Sequence, residues 1–217
     1  MVLGHCRINV RGRHSKKLRV NYRTTEQIRN WSIKLLEGAE VDDLDGGRDD
    51  NKGYRSLRSG LEPEVRGFES EEGELEHIAK TIRAYLDNEE HKARDICIVV
   101  RTSKLRDKHY LPALRDYKIP STVLDRTDEA DGGGGDEKGG DSVRLATMHR
   151  VKGLEFPFMI IAGVNDGVIP YPVREILDDD LLWQQHVTRE KCLLFVAATR
   201  TRDRLLVTSS GKASCLL

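Results

Sequence analysis

Apolar side chains recur along this chain with two different periods, and each period predicts its own kind of element. DICIVV (95–100) is continuously apolar and β-branched, the pattern of a strand covered on both faces of a parallel sheet. Similar short runs predict strands at LRVN (18–21), IPSTVL (119–124), SVRLATM (142–148), FMIIAGV (158–164) and RLLVT (204–208). Between them the spacing turns helical. Thr24 or Thr25 can cap a helix over 25–37 whose inner face is Ile28, Trp31, Ile33, Leu35 and Leu36. Residues 70–87 place Leu75, Ile78, Ala79, Ile82 and Leu86 behind an acidic first turn, which suits a helix N-terminus. A third helix is expected over 104–117. A fourth spans about 179–199, where Leu182, Trp183, His186, Val187, Glu190, Leu193, Leu194 and Ala197 form a broad inner face. Strands alternating with helices predict an α/β fold with a mainly parallel sheet flanked by helices. One sheet accommodates the whole pattern.

The polar intervals divide the chain. Residues 1–17 are basic and poorly patterned, an irregular lead-in; 40–53 form an acidic, Gly-rich loop; 211–217 are a short tail. DGGGGDEKGG (131–140) cannot bury a core, so 126–140 is expected to be a flexible Gly-rich loop within a domain spanning 18–210. Composition narrows the classes further. Lys+Arg (36) balance Asp+Glu (36), which argues against a general polyanion coat but leaves room for a local basic groove. Cys6, Cys97, Cys192 and Cys215 are widely separated without a CxxC pair, so reduced thiols are expected rather than a zinc site or disulfide framework. No leader pattern and no apolar run of membrane-spanning length is present, so a soluble, cytoplasmic protein is expected.

Three stretches concentrate chemistry. In NYRTTEQI (21–28), Arg23 falls in the turn between a strand and a capped helix, where its planar fork could hold a phosphate at the carboxyl end of a sheet. Pairing with a nearby carboxylate is the plainer alternative. In TMHRVKGLEF (147–156), Thr147, His149, Arg150 and Lys152 crowd donors just past a strand end. Gly153 permits a bend there and Glu155 adds one carboxylate. Such donors suit a sugar-phosphate backbone, and the carboxylate suits a ribose hydroxyl. In VAATRTRDRLLVT (196–208), Arg200 ends a helix, Arg202 and Asp203 form a connection, and a strand starts at Arg204. A cation at a helix C-terminus, favourable by about 0.3–1 kcal/mol, accounts for one arginine better than for three. No GxxxxGK[ST], GxSxG, HExxH or GxGxxG occurs, and no metal site is expected.

In this order, the three stretches resemble motifs IV, V and VI of the UvrD/Rep/PcrA-type superfamily 1 DNA helicases, over about Leu18 to Thr208. The resemblance implies a second RecA-like motor domain, three-layered, whose partner is the first RecA-like domain carrying the Walker A and B motifs. ATP would bind between the two, with Mg2+ held mainly by the first. Arg23 and Arg200 would contact the γ-phosphate, Arg200 as an arginine finger. Glu155 would hold the ribose, and Gly153 would let the loop approach it. Thr147 and His149, with Arg150 and Lys152 in the same loop, would face single-stranded DNA. The family's large helical insertion before motif V is replaced by the Gly-rich loop, so a duplex-contacting accessory domain is expected to be missing. The chain is expected to be a fragment of a larger helicase, inactive alone. A non-catalytic nucleic-acid- or protein-binding module with the same fold is the alternative. A nucleotide-dependent metabolic enzyme lacks any phosphate fingerprint.

Overall fold

The computed structural model describes residues 20–38, 55–124 and 140–217. The lead-in, the acidic loop and nearly all of the Gly-rich loop lie outside the described residues. Strand β1 (Val20–Thr25) leads into helix α1 (Glu26–Lys34), and β2 (Arg55–Arg58) and β3 (Glu64–Phe68) precede α2 (Glu71–Leu86). The buried strand β4 (Ile96–Val100) is followed by α3 (Ser103–Leu105), a π-helical turn at Arg106–Tyr110 and α4 (Leu111–Asp116). Then come β5 (Ser121–Val123), β6 (Val143–Thr147), β7 (Phe156–Ile161), α5 (Asp180–Ala198) and β8 (Thr201–Ser210).

Six strands form a parallel sheet in the order β3-β8-β7-β4-β6-β5. Strand alternation sorts its side chains into two cores. Cys97, Val99, Met159, Ile161, Leu205 and Val207 face α1 and α5, meeting Ile28, Leu35, Leu194 and Ala197. Ile96, Ile98, Val100, Phe158, Ile160 and Leu206 face α2, meeting Ile78, Ala79 and Ile82, with Tyr110 and Leu114 beyond. All five residues of β4 are buried, because β4 lies between β6 and β7 with helices on both faces. The result is the α/β, three-layer RecA-like arrangement expected from the alternating pattern.

Several expectations need correction. β1 pairs in parallel with β2 in a separate two-stranded sheet, so one sheet does not hold the whole pattern. β2 and β3 carry too few apolar residues to stand out in the sequence. The helix expected over 104–117 is interrupted by the π turn, whose Tyr110 is buried. β5 is shorter than 119–124, and β7 lies earlier than 158–164. β8 begins at Thr201 because Phe156 of β7 pairs with Thr201, so Arg202 and Asp203 belong to the strand and not to a connection. The last residues fold back: Ser214 Oγ donates to the Ile169 carbonyl (2.5 Å) and Leu216 joins the core.

Candidate functional site

Arg23 lies within β1, two residues before Thr25, whose side chain accepts from Ile28 N and caps α1. It is not in a turn. Asn21 fixes the strand end, accepting from Arg23 N (2.9 Å) and donating to Thr24 Oγ1 (2.6 Å). The Arg23 guanidinium reaches Glu155, with Nε 2.6 Å from Oε1. Glu155 immediately precedes β7. Gly153, at φ 92°, supplies the left-handed backbone that brings the chain round to it, and a Cβ there would meet nothing within 4 Å. The requirement for glycine is therefore conformational, since L side chains pay about 1–2 kcal/mol in this region.

Arg200 follows the C-cap Thr199 of α5, and its Nε donates to the Val196 carbonyl (3.3 Å). Its own carbonyl accepts from Phe156 N (3.0 Å), which fastens the residue after Glu155 to Arg200. Burial lowers the proton affinity of Arg200, and the Arg23 guanidinium lowers it further, while Glu155 raises it. Arg23 thus pairs with Glu155, and Arg200 lies near enough to feel both charges. Arg23, Glu155 and Arg200 meet at the amino ends of β7 and β8 rather than at carboxyl ends, which corrects the placement expected from open α/β sheets.

The donors of 147–152 sit elsewhere. Thr147 ends β6 level with Val100, at the carboxyl end of the sheet. Its carbonyl accepts from Arg150 N (2.9 Å), closing a turn from which His149 and Lys152 are exposed and Arg150 half-buried. Met148 and Val151 are buried and hold this turn to the core. The segment 148–155 therefore runs from the carboxyl end of β6, past β4, to the amino end of β7. One contiguous motif serves two ends of the sheet.

Beside His149 lies a cluster that sequence reasoning did not single out. Arg101, just after β4, makes two 2.7 Å bonds to Glu190 of α5, and the pair is nearly buried (13% and 5% exposed). Glu190 also accepts from Tyr171 N (3.2 Å), Arg101 lies over the Tyr171 ring, and His186 Nε2 is 2.7 Å from the Tyr171 carbonyl. The signal was present: a carboxylate on an otherwise apolar helix face calls for a cation. Partial burial lowers the His149 pKa, Arg101 lowers it further, and Glu190 opposes them. Among the described residues, no three His, Cys, Asp or Glu side chains gather as a metal site, and no helix is long and apolar enough to cross a membrane.

The profile of the UvrD-like helicase C-terminal domain family matches residues 16–128 and 128–212. The ATP-dependent DNA helicase PcrA of Staphylococcus epidermidis is 28% identical over 185 residues, covering 85% of this chain and 21% of that protein. PcrA of Leuconostoc citreum is 36% identical over 74 residues, covering 34% of this chain and 9% of that protein. The chain thus spans about a fifth or less of these relatives. The crystal structure of the C-terminal domain of a possible DNA helicase from Lactobacillus plantarum WCFS1 superimposes with a TM-score of 0.62 at 17% identity, covering 90% of this chain and 91% of that one. That likeness speaks to the fold.

Proposed function

Because the chain belongs to the UvrD-like helicase C-terminal domain family, we propose that it is the second motor domain of an ATP-dependent DNA helicase or translocase. In this reading ATP lies between the chain and a first RecA-like domain that holds the Walker motifs and Mg2+. The observation that carries the reading is the meeting of Arg23, Glu155 and Arg200. Two neighbouring guanidiniums with one nearby carboxylate, which pairs with Arg23, leave a positive charge unmatched, and a phosphate would neutralise it. Both forks offer paired N–H donors to phosphate oxygens.

The roles divide by chemistry. Phosphoryl transfer needs charge stabilisation at the γ-phosphate, and this chain supplies it through Arg200, with Arg23 beside it. Glu155 can only accept once ionised, which suits a ribose hydroxyl. A ligand that engages the Arg23 fork and the Glu155 carboxylate competes with their mutual ion pair. Thr147, His149, Arg150 and Lys152 take single-stranded DNA at the opposite end of the sheet. Segment 148–155 then links strand contact to the nucleotide cleft. Alone, the chain has half of each site and does not hydrolyse ATP.

The test joins the chain to a Walker-containing first domain and measures DNA-stimulated ATP hydrolysis. Arg200→Ala should lower kcat by about 10³-fold or more. Normal turnover by that variant rejects the finger assignment.

A further inference from the structure

Of the two arginines proposed to face phosphate, Arg23 stands on the two-stranded sheet and Arg200 just before β8 of the main sheet, and something must set the distance between them. One face of α1 is set by packing of Ile28, Trp31 and Leu35 onto the core shared with α5. Its amino end, where Arg23 sits, is stitched to the segment 55–60. Ser56 N donates to Glu26 Oε2 (2.5 Å), Gly60 N to Gln27 Oε1 (2.9 Å), and Gln27 Nε2 to Ser59 Oγ (3.0 Å). A Cβ at Gly60 would lie 2.6 Å from Thr25 Cγ2, so the segment abuts the α1 cap itself. From the same segment Arg58 reaches across to β8, its Nη2 2.5 Å from Asp203 Oδ1. Asp203 is three residues after Arg200 and is also held by Arg202 Nε (2.8 Å).

The geometry points to segment 55–60, which is β2 and the two residues after it, as a strut from the two-stranded sheet to β8, with Arg58 and Asp203 as positioning residues that set Arg23 against Arg200 and Glu155. The inference rests on the phosphate reading above only for its purpose; the strut itself is a matter of geometry within this chain. Arg58 and Asp203 touch no phosphate. They act through β1 and β8, and Arg202, which shares Asp203, steadies the anchor on the main sheet. An exposed ion pair adds little to overall stability. Its effect falls on where a neighbouring side chain rests.

The experiment uses the 217-residue chain with 15N-labelled arginine and follows water exchange of the Arg23 Nε–H, which faces Glu155. Arg58→Gln and Asp203→Asn should each speed that exchange by about two- to fivefold, the range an exposed pair supports. The double variant should be no faster than either single one, and Asp203→Glu should keep the original rate. Arg66→Gln breaks a comparable surface pair with Glu64 and should leave Arg23 unchanged. Unchanged Arg23 exchange in both single variants overturns the inference, as does an equal effect from Arg66→Gln or additive effects in the double variant. No nucleotide enters the measurement, so the strut and the phosphate reading fail independently.

Discussion

Arg23 and Glu155, which the family resemblance assigns to phosphate and to ribose, hold each other at 2.6 Å across the boundary between the two sheets. A ribose contact is made equally in the ground and transition states, whereas charge at the γ-phosphate matters most during transfer. In the two-domain assembly, Glu155→Ala should therefore raise KM for ATP by roughly 10–100-fold with little change in kcat. Arg23→Ala should depress kcat. Steady-state kinetics separate the two, and an unchanged KM in Glu155→Ala removes that residue from the site.

Arg101 and Glu190 support a prediction about acid stability. Burial pushes the Glu190 pKa up, but the bonds from Arg101, the Tyr171 amide and the nearby His186 outweigh it and hold the carboxyl below its usual value. A group whose folded pKa is depressed stabilises the fold above its unfolded pKa, near 4.3, and loses that contribution as pH falls through the folded value. Urea denaturation below about pH 4.3 should show this loss, and Glu190→Gln should flatten that part of the profile. At pH 7, Glu190→Ala strands a nearly buried guanidinium and should cost about 3–5 kcal/mol.

His149 should titrate below the ordinary imidazole value of about 6.5, because partial burial and then Arg101 disfavour its charged form. The neutral ring is therefore the favoured form at pH 7. Histidine NMR across pH 5–8 should find Arg101→Gln moving the midpoint up and Glu190→Gln moving it down. Movement in the opposite directions would contradict the arrangement around Arg101.

The largest effect of a single truncation on stability is expected at Glu74. This side chain is fully buried, and Oε1 accepts from Tyr110 Oη (3.1 Å), Gly163 N (2.9 Å) and Thr208 Oγ1 (2.5 Å). It joins α2, the π turn and the ends of β7 and β8. Glu74→Ala leaves three buried donors without that acceptor, each costing about 1–3 kcal/mol. Thermal denaturation should show the variant far below Glu76→Ala, whose exposed side chain pairs with exposed Lys80.

How much could be read from the sequence depended on whether burial left a periodic trace. β4, α2 and α5 are covered along a continuous face, so their apolar spacing was legible. β2 (RSLR) and β3 (EVRGF) are exposed along most of their length and show no such trace. The start of β8 reads TRDR because its polar residues find partners sideways. Arg204 lies 4.8 Å above the Phe158 ring, and Asp203 sits between two arginines. Nothing local marks those partners. The site divides in the same way: Arg23, Glu155 and Arg200 were picked out through motifs, but their placement at the amino ends of β7 and β8 follows from strand order, which local pattern does not encode.

The ten residues of β8 span roughly 33 Å with Arg200 at their root; β7 pairs along Thr201–Val207, across an irregularity, and β3 along Leu206–Ser210. At the far end Asn165 clasps Ser210 through both backbone and side chain. The outer half of this beam, where β3 joins, is its stiffer part. Arg200 thus stands beside the singly braced end of the beam, away from its stiff half.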